Sequence, residues 1–253
     1  MQWLDKNYLE INGISFYVNG IFKTLPEKYQ NKEFFCIAKG TEDFVSYYDE
    51  IKNLELENVI EIGIYKGGSV AFMNAAFKPK KLLAIEFSDE RQKNLDKYIE
   101  THAEAGSILC EYGVDQADRQ RLPVLLEKHF PNRDVDFVVD DASHLYEESK
   151  ASFNMIFPYL KTGALYVIED WSWAHSGMKL FEAADGLWHD KLSLSNLLFE
   201  VMLSYASCPG LISGVKVNKN MIFVTRGDSQ IEPGKFDISA SYFTRGRVFQ
   251  PTL

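Results

Sequence analysis

The sequence predicts an α/β fold in which a doubly wound, mostly parallel sheet of seven strands ends in an antiparallel hairpin. Three observations lead to this prediction. Short apolar runs alternate with amphipathic stretches from about residue 58 onward. Their spacing is typical of βαβ units, in which helices cover both faces of a parallel sheet. In addition, a hairpin pattern occurs near each end of the chain.

The composition fits one sizeable folded core and excludes several classes of partner. The chain has 253 residues, of which 46% are hydrophobic, and its 36 acids against 27 bases give a net charge of -9. Without a basic block, such a chain is a poor nucleic-acid binder. No apolar run approaches the roughly 18 residues of a membrane span, and the first residues do not resemble a secretory signal. We therefore expect a cytoplasmic protein with neither a membrane nor a nucleic acid as partner.

The N-terminal part is predicted to be a small extension that covers the main domain. Residues 8–18 alternate between apolar and polar around Asn12-Gly13, which is typical of a hairpin. Thr41 is expected to cap a helix. The apolar stripe of that helix has helical spacing and consists of Phe44, Tyr47, Tyr48 and Ile51. The chain is thus divided into an extension, a main domain and a tail, at residues 1–55, 56–227 and 228–253.

The main domain is predicted to alternate strands and helices. The strands are Val59–Ile62, Leu82–Glu86, Ile108–Tyr112, Phe137–Asp140 and Leu165–Ile168. The helices between them are Ser69–Phe77, Asp89–Ala105, Ala117–Phe130 and Leu145–Leu160. A helix over residues 193–205 and a hairpin over Val215–Arg226 follow. Because crossovers between parallel strands are right-handed, this order favours a doubly wound topology.

Two of the predicted strands stop abruptly in acidic residues. Asp140-Asp141 ends one strand and Glu169-Asp170 ends another, while His144 follows shortly after the first pair. Neighbouring parallel strands finish on the same edge of a sheet, where ligands bind, so we expect these side chains to meet. Carboxylates suit a hard cation such as Mg²⁺, and an imidazole can serve as a base. Each acid taken alone could instead cap a helix or lie in a solvated turn.

A glycine-rich turn follows the first strand, in the sequence VIEIGIYKGGS at residues 59–69. Glycines at positions 63, 67 and 68 permit a tight turn and a close approach of the backbone to a ligand. The helix N-terminus that follows favours a carboxylate or a phosphate. Tyr65 stands where the dinucleotide fingerprint requires its second glycine, which argues against NAD.

The next two strand ends carry further polar residues. Glu86 ends the second strand, where an acid typically accepts hydrogen bonds from ribose hydroxyls, although it could also be an ordinary surface or capping acid. After the third strand, Asp115, Gln116 and Asp118 are compatible with contact to an adenine edge or with capping of the next helix. The residues alone leave both roles open.

Four motifs occur in one order: E-I-G-x-x-x-G-G-S, an acid that ends the second strand, D-D-x-S-H and V-I-E-D-W. Together they resemble the class I S-adenosylmethionine-dependent methyltransferases. Within that class the sequence is similar to the metal-dependent macrolide-sugar O-methyltransferases and the cephalosporin-hydroxylase-like family. The similarity covers about residues 58–171, and Ala142 stands where the family commonly has glycine.

The resemblance implies a Rossmann-like fold with S-adenosylmethionine and Mg²⁺ as cofactors. It implies that the methionine end, the ribose and the adenine contact successive strand ends. The residues predicted to bind the cofactor are Glu61, Gly63, Tyr65, Gly67, Gly68, Ser69, Glu86, Gln116, Asp118 and Asp140. The implied Mg²⁺ ligands are Asp141, Glu169 and Asp170, with His144 as the general base.

The predicted function is Mg²⁺-dependent transfer of a methyl group to a hydroxyl of a sugar or a hydroxylated natural product. The alternatives are an NAD-dependent oxidoreductase and a non-catalytic binding module. An oxidative enzyme would need two histidines and one carboxylate for iron, and no such set is apparent. The aromatic-rich loop Ser172–Lys191 is interpreted as a lid over the acceptor, or else as a packed patch or a subunit contact. We expect a homo-oligomer, and we expect His102 and His129 on outer helix faces.

Overall fold

The computed structural model describes residues 1–19, 34–182, 186 and 188–246. The strands are β1 (Gln2–Asp5), β2 (Tyr8–Ile11), β3 (Ile14–Val18), β4 (Phe35–Ile37), β5 (Asn58–Ile62), β6 (Lys81–Glu86), β7 (Ile108–Tyr112), β8 (Val135–Asp140), β9 (Leu160–Glu169), β10 (Ile212–Val217) and β11 (Met221–Arg226). The helices are α1 (Thr41–Ile51), α2 (Gly68–Phe77), α3 (Lys93–His102), α4 (Arg121–His129), α5 (Tyr146–Ile156) and α6 (Ser195–Ser207).

The main sheet has seven strands in the order β10-β11-β9-β8-β5-β6-β7. The pairs β5–β6, β5–β8 and β6–β7 are parallel, while β11 is antiparallel to both β9 and β10. This arrangement confirms the predicted mostly parallel sheet with an antiparallel hairpin. The chain forms two compact units, of which the first comprises residues 1–116 and 135–142 and the second comprises 117–134 and 143–253.

The first unit contains a second sheet, of four strands in the order β1-β2-β3-β4. The predicted hairpin is confirmed, since Asn12 and Gly13 both have positive φ, of 49° and 80°, as a two-residue turn between twisted strands requires. Phe72 of α2 lies 6.1 Å from the ring of Phe16 and 5.0 Å from that of Phe44. Aromatic contacts therefore pack the N-terminal residues onto α2.

Helix α1 begins where the sequence predicts, but its cap differs. Gly40 is the N-cap, and no side chain hydrogen-bonds to the helix start, so the expected capping role of Thr41 is wrong. The Thr41 hydroxyl instead lies 3.2 Å from the side-chain oxygen of Asn7. The predicted stripe does face inward, with Phe44, Tyr47 and Ile51 all buried.

The first unit also contains the point at which the strand order reverses. β5 lies between β6 and β8, so the next strand along the chain lies to one side and a later strand to the other. The apolar residues of β5 and β6, such as Val59 and Leu82, are fully buried, as expected of parallel strands covered on both faces. Ligands of open α/β sheets bind beyond the carboxyl ends of the strands at such a switch point.

The second unit contains β9, β10 and β11 with α4, α5 and α6. α5 is shorter than predicted, because a 3₁₀ turn over Phe157–Tyr159 replaces its last turn at Pro158. Arg226 is buried, and its guanidinium donates to the carbonyls of Leu211 and Gly227. The expectation that His129 lies on the surface is wrong, since only 8% of it is exposed. None of the described helices is long and apolar enough to cross a membrane.

Candidate cofactor and metal site

The glycine turn of the first unit brings Glu61 and Ser69 together. Glu61 points from β5, only 1% of it is exposed, and its Oε1 accepts a hydrogen bond from the Ser69 hydroxyl. Among the described residues, Oε2 of the same carboxylate is buried without a hydrogen-bond partner. Burial raises the pKa of Glu61 to about 7, against the opposing effects of the Ser69 hydrogen bond and the Lys39 ammonium.

The glycines of this turn are required by contacts within the protein. A Cβ at Gly68 would lie 1.9 Å from the carbonyl oxygen of Cys36, and a Cβ at Gly63 would lie 2.2 Å from that of Asp141. Gly63 and Gly67 also have positive φ, of 99° and 79°. At Gly63 and Gly68 the closely approaching group is another strand or loop of the chain, and the approach to a ligand that the sequence suggests stays a prediction.

Glu86 braces the same turn. Its Oε2 accepts hydrogen bonds from the backbone N–H groups of Ile64, at 2.9 Å, and Tyr65, at 2.8 Å, while Oε1 accepts one from Ser88. Tyr65 has a positive φ of 48° and is 53% exposed. The carboxylate thus holds a strained turn in place. Its predicted contact with a ribose stays a prediction.

Gln116 and Asp140 form a buried pair in the first unit. The side-chain amide of Gln116 donates to the Asp140 carboxylate, at 3.2 and 3.1 Å from its two oxygens. Only 6% of Gln116 and 2% of Asp140 are exposed. The pair fixes the end of β8 against the segment that follows β7, at the edge where ligands of such sheets bind.

Asp118, in the second unit, has the capping role that the sequence left as one alternative. Its Oδ1 accepts hydrogen bonds from the backbone N–H groups of Gln120 and Arg121, both at 2.9 Å, at the start of α4. These two bonds lower the pKa of the Asp118 carboxyl. The adenine contact is therefore better sought at Gln116 than at Asp118.

Lys39 is the residue of this site that the sequence analysis missed. Its ammonium lies 2.5 Å from Oδ2 of Asp141, and only 9% of its side chain is exposed. Asp141 itself follows β8, with 29% of its side chain exposed. No motif singles out a lysine that follows a short strand, and β4 itself was not predicted.

The second unit holds the imidazole and the later acidic pair. Nε2 of His144 lies 3.8 Å from Oδ2 of Asp170, which is a close approach but longer than a hydrogen bond. Both residues have left-handed backbones, with φ of 57° and 54°. Glu169 is 3% exposed at the end of β9. The structure thus places His144, the predicted base, close to Asp170, one of the predicted metal ligands. The backbone of both residues is strained, which is typical of functional sites.

Aromatic side chains after β9 pack on one another. The ring of Trp173 lies 5.5 Å from that of Phe181 and 6.0 Å from that of Trp188. Trp173 is 9% exposed, and its indole N–H donates to the carbonyl of His144 at 2.7 Å. These contacts fit the packed patch that was one alternative for the loop. The lid stays a prediction, and residues 183–185 and 187 of the loop lie outside the described residues.

Comparison with known proteins shows that the chain is similar to methyltransferases. Residues 60–171 match the family model of a methyltransferase domain. Demethylmacrocin O-methyltransferase of Streptomyces fradiae is 29% identical over 153 residues, which are 58% of this chain and 35% of that protein. Mycinamicin VI 2''-O-methyltransferase of Micromonospora griseorubida is 27% identical over the same length and covers the same shares. The chain therefore matches only about a third of the length of these relatives.

A solved structure extends the comparison to the fold. The MycE methyltransferase from the mycinamycin biosynthetic pathway, in complex with Mg and SAH, superposes with a TM-score of 0.52 at 26% identity. The match covers 74% of this chain and 49% of that one. Residues 60–171 therefore match a methyltransferase domain, and the chain has the Rossmann-like methyltransferase fold that is seen in MycE.

Proposed function

We propose that this chain transfers a methyl group from S-adenosylmethionine to a hydroxyl group of a sugar or a hydroxylated natural product, with the help of Mg²⁺. The observation that carries the proposal is a pair of acidic strand ends within the region that matches a methyltransferase domain. β8 ends at Asp140 and is followed by Asp141, and β9 ends at Glu169 and is followed by Asp170. The class of acceptor comes from the relatives, whose names specify macrolide substrates.

The first unit fits the cofactor. Oε2 of Glu61 is a buried acceptor with no hydrogen-bond partner among the described residues, and a buried acceptor of this kind is costly unless a donor reaches it. The ammonium of the cofactor's methionine end is a donor of suitable charge. The braced turn and the Gln116–Asp140 pair provide further polar groups along the same edge for the ribose and adenine. When bound, S-adenosylmethionine supplies an electrophilic methyl group.

The acidic residues fit a hard divalent cation. Carboxylate oxygens are the ligands that Mg²⁺ prefers, and we assign this role to Asp141, Glu169 and Asp170. Asp141 precedes His144 by three residues, so the chain itself holds their Cα atoms within about 11 Å. When bound, Mg²⁺ supplies positive charge that makes a hydroxyl group beside it more acidic.

His144 is the proposed general base. A neutral imidazole accepts protons in the physiological pH range, and here it would take the proton of the acceptor hydroxyl. The new bond forms between that oxygen and the methyl carbon while the bond from carbon to sulfur breaks. Asp170, 3.8 Å from Nε2, stabilises the positive charge that His144 gains.

Two substitutions test these roles, and a third is the control. Asp141→Ala should abolish Mg²⁺-dependent methyl transfer and leave the affinity for S-adenosylmethionine nearly unchanged. His144→Ala should lower kcat by about 10²- to 10⁴-fold, the usual contribution of a general base. Glu147→Ala, at an exposed position of α5, is the control and should behave as the wild type. Equal loss of cofactor affinity in Asp141→Ala would place Asp141 in the cofactor pocket, and an unchanged kcat in His144→Ala would remove its role as the base.

The proposal also includes the partners of the chain. The chain is expected to bind a small hydroxylated acceptor and to assemble as a homo-oligomer. Light scattering of the purified chain tests the assembly, because a mass near the 29.0 kDa of one chain would contradict it.

A further inference from the structure

We propose that Trp173 is a positioning residue that holds His144 and Asp170 in their working geometry. This inference rests on the proposed function of those two residues, and it concerns contacts within the second unit. Trp173 itself touches no reacting group in the proposed mechanism. It acts through the backbone of the two residues that do.

The first observation is the position of the hydrogen bonds. The indole N–H of Trp173 donates to the carbonyl of His144 at 2.7 Å, and the backbone N–H of Trp173 donates to the carbonyl of Asp170 at 3.4 Å. One residue therefore holds the main chain of both site residues.

The second observation is the conformation of the residues that are held. His144 and Asp170 both have left-handed backbones, with φ of 57° and 54°. Residues other than glycine rarely adopt this left-handed backbone conformation, and it persists only where surrounding contacts impose it. A hydrogen bond to the carbonyl of each residue is such a contact. Loss of the indole bond removes a contact that holds the main chain of His144, and we expect the 3.8 Å approach of Nε2 to Oδ2 to change with it.

The third observation is that Trp173 is itself held. It is 9% exposed, and its ring packs against Phe181 and Trp188. A donor on a packed ring has little freedom, so it fixes its acceptor more precisely than a solvated side chain would. Phe181 and Trp188 thereby help to orient His144, because they hold the ring whose N–H donates to its carbonyl.

The neighbouring Trp171 offers a matched control. Its indole N–H also donates to a backbone carbonyl, that of Asn218, at 3.0 Å. This acceptor lies in the turn between β10 and β11 and carries no proposed catalytic role. Trp171→Phe and Trp173→Phe therefore each remove one indole hydrogen bond and keep an aromatic ring. Only Trp173→Phe removes a bond to a site residue.

The test combines crystal structures of the two variants with kinetics and Mn²⁺ binding, measured by electron paramagnetic resonance. We expect Trp173→Phe to move His144 relative to Asp170 by about 1 Å, and to lower kcat by about 10²-fold with little change in the KM for S-adenosylmethionine. Mn²⁺ affinity should fall about 10-fold or more, as for other partners that orient metal ligands. Trp171→Phe should keep the wild-type values.

Two results would overturn the inference. One is an unchanged arrangement of His144 and Asp170 in the Trp173→Phe crystal structure. The other is an equal loss of kcat and of Mn²⁺ affinity in Trp171→Phe and Trp173→Phe, which would show that the loop acts in a general way. The structural result does not depend on activity, so it distinguishes failure of this inference from failure of the proposed function. If the wild type transferred no methyl group at all, the movement of His144 would still be measurable.

Discussion

At the scale of single residues, the charge of Glu61 depends on its surroundings. Burial raises its pKa from 4.5 to about 7 in the folded chain. The folded state therefore holds a proton that the unfolded state releases, and stability falls as pH rises from about 4.5 through 7. Glu61→Gln keeps the hydrogen-bonding shape and cannot ionise.

We therefore expect Glu61→Gln to gain stability relative to the wild type as pH rises. The difference in unfolding free energy between variant and wild type should increase by roughly 2 kcal/mol from pH 5 to pH 8. Urea unfolding at both pH values measures it. A difference that stays constant, or becomes smaller at pH 8, would show that folding does not raise the pKa of Glu61.

Lys39 leads to a second prediction at the same scale. Its ammonium contacts Oδ2 of Asp141, a carboxylate that we assign to the proposed cation site. Lys39 and a bound cation therefore compete for the negative charge of this carboxylate. Removing the competing charge in Lys39→Met should tighten Mn²⁺ binding by about tenfold, which corresponds to roughly 1.4 kcal/mol.

A surface pair supplies the control for Lys39. Lys52 lies 2.7 Å from Asp49 in an exposed pair on α1, and Lys52→Met should leave Mn²⁺ affinity unchanged. Titration of both variants with Mn²⁺, followed by calorimetry or by electron paramagnetic resonance, measures this affinity. Weaker Mn²⁺ binding in Lys39→Met would mean that the lysine supports the metal site, contrary to the expectation.

At the scale of elements, the contact between β4 and α2 sets the position of the glycine turn. Gly68 begins α2, and a Cβ there would lie 1.9 Å from the Cys36 carbonyl oxygen in β4. Because both groups are backbone, neither can rotate away. Gly68→Ala should therefore lower the unfolding free energy by about 1–3 kcal/mol or more, as overpacking does, and should weaken cofactor binding.

Gly177→Ala is the matched control for Gly68→Ala. Nothing lies within 4 Å of a Cβ built at Gly177, and its φ is not positive. Its melting temperature should stay near that of the wild type. Equal stability of the two variants in thermal unfolding would show that β4 can withdraw from α2 without cost.

The sequence predicted regular elements well and their ends less well. Apolar runs such as Val59–Ile62 were recognised because a buried parallel strand is apolar on both faces. β1 and β4 were missed, since β4 has only three residues and short strands carry no periodic signal. The cap of α1 was also wrong, because the Thr41 hydroxyl finds its partner in Asn7, which is distant in sequence.

At the scale of the whole molecule, the mostly parallel sheet with its antiparallel hairpin was accessible from sequence, and the side-chain contacts around the proposed site were not. The acids at the ends of β8 and β9 stand out because they interrupt apolar runs. The roles of Lys39 and Trp173 depend on contacts between residues 102 and 29 positions apart, which no local pattern encodes. Physical reasoning from sequence thus proposed a site at the acidic strand ends, and the contacts of Lys39 and Trp173 became visible only in the structure.

The central claim at this scale is that the cofactor is S-adenosylmethionine. Tyr65 and the buried carboxylate of Glu61 both favour S-adenosylmethionine over NAD at the switch point of the sheet. Isothermal titration of the full chain with S-adenosylhomocysteine, and in parallel with NADH, tests this claim most directly. We predict that S-adenosylhomocysteine binds one to one and that NADH does not bind. Binding of NADH without S-adenosylhomocysteine would contradict it.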